Sequence, residues 1–133
     1  MAGRSTIVAA RIMGPALLIF GAALLAGRVN IAELVSTLVA EPTSRLFAAA
    51  VSVILGLVLA VLHNRWKTPT EIAITLIGWV LILRGTSLLI APVETITSFQ
   101  PVFEAPAMPF VSGGLMVVLG GWFTFVGIFR KAR

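Results

Sequence analysis

Four stretches of this chain are apolar over lengths that can cross a lipid bilayer, at residues 7–27, 46–63, 72–92 and 108–129. A bilayer's hydrocarbon core is about 30 Å thick and takes about 20 residues of helix to span. Lipid offers no partner for an unpaired backbone group, so segments of this kind must close their hydrogen bonds internally, as helices. The weaker alternating pattern of barrel strands is absent. The expected fold is therefore an all-α membrane protein, one domain over 1–133 with four transmembrane helices.

Composition agrees. Hydrophobic residues make up 59% of the chain and charged residues 11%, against about 45–50% and about 25% in soluble domains. The net charge of +5 would suggest nucleic acid in a soluble protein. In this chain the basic residues gather at span ends, where they read as topology signals and contacts to anionic lipid. No aromatic–basic interleaving or zinc-type spacing supports nucleic-acid binding, and the absence of cysteine excludes disulfides, thiolate metal sites and cysteine nucleophiles. No metal site and no cofactor are expected.

Arg4, Arg11, Arg65, Lys67, Arg130, Lys131 and Arg133 fall on one side of the four spans. The other side carries Arg28 and Arg45, offset by Glu33 and Glu41, and then Glu94 and Glu104. The positive-inside rule places both termini in the cytoplasm. Arg4 ahead of an apolar core, with small residues near Ala26, also fits a signal peptide. The run is long enough to remain as an anchor, and we expect it to be retained.

The chain partly overlays itself at an offset of 64 residues. Residues 12–27 fall on 76–91, with Gly14 on Gly78, Leu17 on Leu81, Gly21 on Gly85 and Leu24-Leu25 on Leu88-Leu89. The same offset lays Val53 on Val117, Leu55-Gly56 on Leu119-Gly120 and Lys67 on Lys131. Two tandem helical hairpins are expected, one over about 7–67 and one over about 71–131, parallel and related by a pseudo-two-fold axis along the membrane normal. The run Gly85-Thr86-Ser87-Leu88-Leu89-Ile90-Ala91-Pro92 fits a Gly-x-x-Leu-Leu-x-x-Pro helix end, which the first copy from Gly21 to Arg28 shares without the proline. In this the unit resembles small uncharacterised bacterial inner-membrane proteins built from two-helix hairpins. His63-Asn64-Arg65-Trp66, followed by Gly78-Trp79, is similar to a feature of four-span bacterial proteins. The resemblance implies an inner-membrane location and no particular activity.

Between the first two spans, Ile31, Leu34, Val35, Leu38 and Val39 recur on one helical face. Asn30 reads as the N-cap, with Glu33 as capping-box partner, and Pro42 closes the segment. We expect a short amphipathic helix lying flat on the outer interface or docking on a partner subunit. The second outer loop carries Ile96, Phe99, Val102 and Phe103 among three prolines, Pro101, Pro106 and Pro109, and is expected to be partly helical.

Helices in lipid associate where small residues let backbones approach. Gly14 and Gly21 in the first span are seven apart, as are Gly78 and Gly85 in the third. The second span has Ala48, Ser52, Gly56 and Ala60 at intervals of four; the fourth has Gly113, Gly120 and Gly127, with Gly114 and Gly121 beside them. These are the expected packing residues, within the bundle or toward another subunit or copy.

Arg84 lies inside the third span, and an intramembrane charge is costly enough to be a functional candidate. With Thr86 and Ser87, and with Ser52 and Ser112 from neighbouring spans in the same outer half, it suggests a polar pocket for an anion or a lipid headgroup. The plainer alternative is an arginine snorkelling to the interface or bonding to Glu94 or Glu104. His63, the only histidine, ends the second span; it is a candidate cofactor ligand or, with no second ligand in view, a helix-end contact. Trp66 reads as an interfacial anchor. No acid is expected within a span, Glu71 being placed at the edge of the third, and no nucleophile–base pair or phosphate loop appears. The expectation is a non-catalytic membrane protein, an accessory or structural subunit, with a small transporter or channel around Arg84 as the alternative.

Overall fold

A computed structural model describes residues 4–130. Lys131 and Arg133, two of the basic residues used for topology and the end of the second expected hairpin, lie outside the described residues. Four helices are long and apolar enough to cross a membrane: α1 (Arg4–Leu25), α3 (Pro42–His63), α4 (Pro69–Ile90) and α7 (Met108–Phe129). Between α1 and α3 runs α2 (Ile31–Ala40); between α4 and α7 run α5 (Val93–Ser98) and α6 (Gln100–Glu104). The described residues contain no strand.

The helix ends follow from local chemistry. Gly27 takes φ +67°, and the amides of Gly27 and Arg28 bond the carbonyls of Leu24 and Ala23, a Schellman end that only glycine adopts without strain. Asn30 caps α2, its Oδ1 accepting from the amides of Ala32 and Glu33 at 3.0 and 3.4 Å. The reciprocal capping box forms elsewhere: Thr68 Oγ1 accepts from the Glu71 amide, and Glu71 Oε2 accepts from the Thr68 amide. Pro42 and Pro69 open α3 and α4 rather than closing what precedes them, because a proline at the first turn has no amide to leave unpaired. The second and third spans therefore begin earlier than 46 and 72, and Glu71, expected at the edge of the third span, lies within it, in the first turn of α4.

Packing departs from the tandem-hairpin expectation. α1 lies along α7, and α3 lies along α4; α1 and α3, consecutive spans of the first expected unit, touch lightly. The first span of each unit thus packs on the second span of the other. Connection length explains it: residues 64–68 hold α3 and α4 adjacent, whereas α2 and the α5–α6 segment leave α3 and α7 free to move away from the spans before them.

Backbones meet at the glycines, and the meetings repeat at the 64-residue offset. A Cβ on Gly21 would lie 2.9 Å from the Gly113 carbonyl and the Val117 amide nitrogen; one on Gly85 would lie 2.8 Å from the Ala49 carbonyl and 2.9 Å from the Val53 nitrogen. A Cβ on Gly56 would meet the Gly78 carbonyl and the Ile82 nitrogen at 2.7 and 2.8 Å; one on Gly120 would meet the Gly14 carbonyl and the Leu18 nitrogen at 2.9 and 2.7 Å. Each set of partners becomes the other on subtracting or adding 64. The pattern extends to a hydrogen bond. Arg11 Nε and Nη2 donate to the Gly127 carbonyl at 3.0 and 2.9 Å, and Thr75, at the position equivalent to Arg11, donates to the carbonyl of His63, the equivalent of Gly127.

Gly14, Gly78, Gly113 and Gly127 take part in the same two contacts, and Ser52 is buried in one of them. In α3 the fully covered small residue is Ala49 and not the expected Ala48, since a strict four-residue stripe drifts around a 3.6-residue helix. Gly114 and Gly121 face open space.

Candidate functional site

The two ends of the bundle are built differently. At the end shared by the start of α1 and α4 and the close of α3 and α7, Ala10, Ile74, Phe123 and Val126 form the buried core, supported by Met13, Leu17, Leu59 and Ile77. Polar groups cap this core without solvent. Thr6 donates to Glu71 Oε1 at 3.2 Å, and Glu71 is 1% exposed. Thr75 donates to the His63 carbonyl at 2.5 Å, lies 3.1 Å from the Arg65 carbonyl and accepts from the Arg65 amide at 3.4 Å. His63 is 2% exposed, and its Nε2 has no hydrogen-bond partner. Asn64 turns outward, accepting from Trp66 Nε1 at 3.0 Å, and Trp66 is exposed. This buried network is local: it ties α1 to α4 and closes the α3–α4 turn. No group of three or more metal-ligating side chains occurs among the described residues.

The opposite end holds a cavity of about 560 Å³, within the range of about 300–1,000 Å³ usual for small-molecule sites. One wall is the apolar face of α2: Ile31, Leu34, Val35 and Leu38. A second is the end of α4 and its C-cap: Arg84, Ser87, Leu88 and Ala91, spaced as one helical face. The third comes from α5 and α6 with Thr95, Ile96, Phe99 and Phe103, and Met108 opens α7 beside them. The lining is apolar apart from Arg84, Ser87 and Thr95.

Of the five residues expected in a polar pocket, the cavity lining includes Arg84 and Ser87. Thr86, adjacent to both, is exposed and is not among the lining residues. Ser52 is buried between α3 and α4, 5% exposed. Ser112 donates to the Met108 carbonyl within its own helix at 2.6 Å. Spacing along a span sets depth but not azimuth, and residues at one membrane level face different ways.

Arg84 makes no hydrogen bond or ion pair with a described residue. Neither acid expected as its partner pairs with it: Glu104 Oε1 accepts from Gln100 at 3.0 Å, and no ion pair joins Arg84 to Glu94. On the same end of the bundle Arg45 holds Nη1 out of solvent without a partner. Arg84 thus puts a guanidinium cation beside hydrocarbon walls. What the sequence reading missed is the roof. The helical face of 31, 34, 35 and 38 was legible; that it covers a cavity was not. No protein-family model, no curated protein and no solved structure matches this chain.

Proposed function

We propose that the chain is a non-catalytic, multi-pass protein of the bacterial inner membrane, with both termini cytoplasmic, acting as an accessory or structural subunit through helix packing with another membrane subunit or with itself. The supporting observation is on α7. Gly113, Gly120 and Gly127 are filled by α1, whereas Gly114 and Gly121, a heptad apart on an adjacent face, have no neighbour within 4 Å. A groove of small residues facing lipid suits a second helix. Replacing both with leucine leaves the fold intact and removes co-purifying subunits, or self-association, from mildly extracted native membranes. Unchanged co-purification with the double variant refutes the reading.

A second reading has its own observation: the cavity at Arg84 supports a small binding or transport protein for an anion or lipid headgroup. The two readings are compatible in one molecule, since the open glycine face and the cavity involve different residues.

A further inference from the structure

We propose that the cavity beneath α2 holds an anionic phospholipid from the surrounding bilayer, its acidic headgroup on Arg84 and its hydrocarbon against α2, Phe99 and Phe103. The inference rests on the binding reading of Arg84 and names its ligand class. Charge comes first. The Arg84 guanidinium stands beside mostly hydrocarbon walls and forms no hydrogen bond or ion pair with a described residue, so an anion from outside the chain is its fitting partner. Ser87, three residues on and on the same wall, adds a hydroxyl donor.

The walls then choose among anions. A free phosphate would shed its hydration into a chamber with one cation and mostly hydrocarbon around it, at a cost that one arginine does not offset. An amphiphile avoids this, because burying its chain against Leu34, Leu38, Ile96 and Phe103 is itself favourable. Access follows from how α2 is held. It has no buried residue, and Leu34 is 54% exposed; a ten-residue helix between Gly27 and Pro42 is a cover that lipid can pass beneath.

The test uses the full chain in mild detergent, equilibrated with phosphatidylglycerol or phosphatidylcholine and read by native mass spectrometry. Wild type retains phosphatidylglycerol in preference by about tenfold, the size of one charge-assisted hydrogen bond. Arg84→Gln, which removes no hydrogen bond or ion pair with a described residue, abolishes the preference. Ala91→Trp fills the cavity with Arg84 in place and lowers retention of both lipids. Undiminished preference in Arg84→Gln overturns the headgroup assignment; if Ala91→Trp still loses lipid, the cavity reading survives it. Undiminished retention in both variants overturns both. Displacement of bound lipid by excess inorganic phosphate overturns the lipid in favour of a free anion.

Discussion

The two ends of this bundle meet the same problem, polar groups in an apolar setting, in opposite ways. At one end Thr6 donates to Glu71 and Thr75 donates to the His63 and Arg65 carbonyls, and all three side chains are buried to within a few per cent. At the other end Arg84 has no partner among the described residues and lines a cavity roofed by a helix with nothing buried. The difference teaches where each end gets its order. The closed end is held by the Thr6–Glu71 contact between α1 and α4 and by Thr75 at the α3–α4 turn, with His63 Nε2 buried there without a partner among the described residues. The open end is held by the α1–α7 and α3–α4 pairs below it, and its loops lean on them. A buried polar group whose partners are all internal serves stability, whereas an unpartnered cation beside a cavity is what a binding site requires.

Four substitutions probe that contrast, from the largest expected effect to the smallest. Leucine at Gly56 or at Gly120 strikes equivalent backbone contacts, where even a methyl would meet peptide atoms at 2.7–2.9 Å. Each costs about 3 kcal/mol or more by overpacking, and the two variants lose thermal stability in detergent to a similar extent. A large asymmetry between them would break the equivalence of the two helix pairs. Glu71→Ala leaves the Thr68 amide and the Thr6 hydroxyl without their acceptor. It costs about 2 kcal/mol, seen as a lowered unfolding midpoint, and leaves lipid retention by the folded fraction unchanged. A loss of lipid in the folded Glu71→Ala protein would show that the ends are coupled. Asn30→Ala removes the cap of α2, worth about 1 kcal/mol. Because α2 buries nothing, hydrogen exchange accelerates in 31–40 while the global midpoint stays within about 0.5 kcal/mol of wild type. An equal drop in global stability would mean that α2 belongs to the cooperative core.

Particular residues show how far the sequence reaches. The fourth span falls at Met108–Phe129 both from composition and in the fold. Asn30 caps α2 as its position implies, while Glu33 does not complete the box, and the Thr68–Glu71 pair, an equally plain Thr-x-x-Glu before an apolar run, does. Gly21, Gly56, Gly85 and Gly120 lie where backbones meet while Gly114 and Gly121 face open space, and the sequence distinguishes neither the two groups nor their partners. A glycine says that something comes close, and only the fold says that α7 comes to α1 and α4 to α3. The same limit applied to Ser52 and Ser112, which share a membrane level with Arg84 but not its face.

Length and hydrophobicity by themselves determined four apolar helices, because a backbone surrounded by hydrocarbon has no other way to satisfy its amides and carbonyls. Local chemistry also determined most of the helix ends. The tertiary structure decided which helices pair, which polar groups are shut inside, and that α2 roofs a cavity containing Arg84. The physical reason is that lipid and protein interior are equally apolar, so the pattern that separates core from surface in water does not separate a neighbouring helix from a lipid tail.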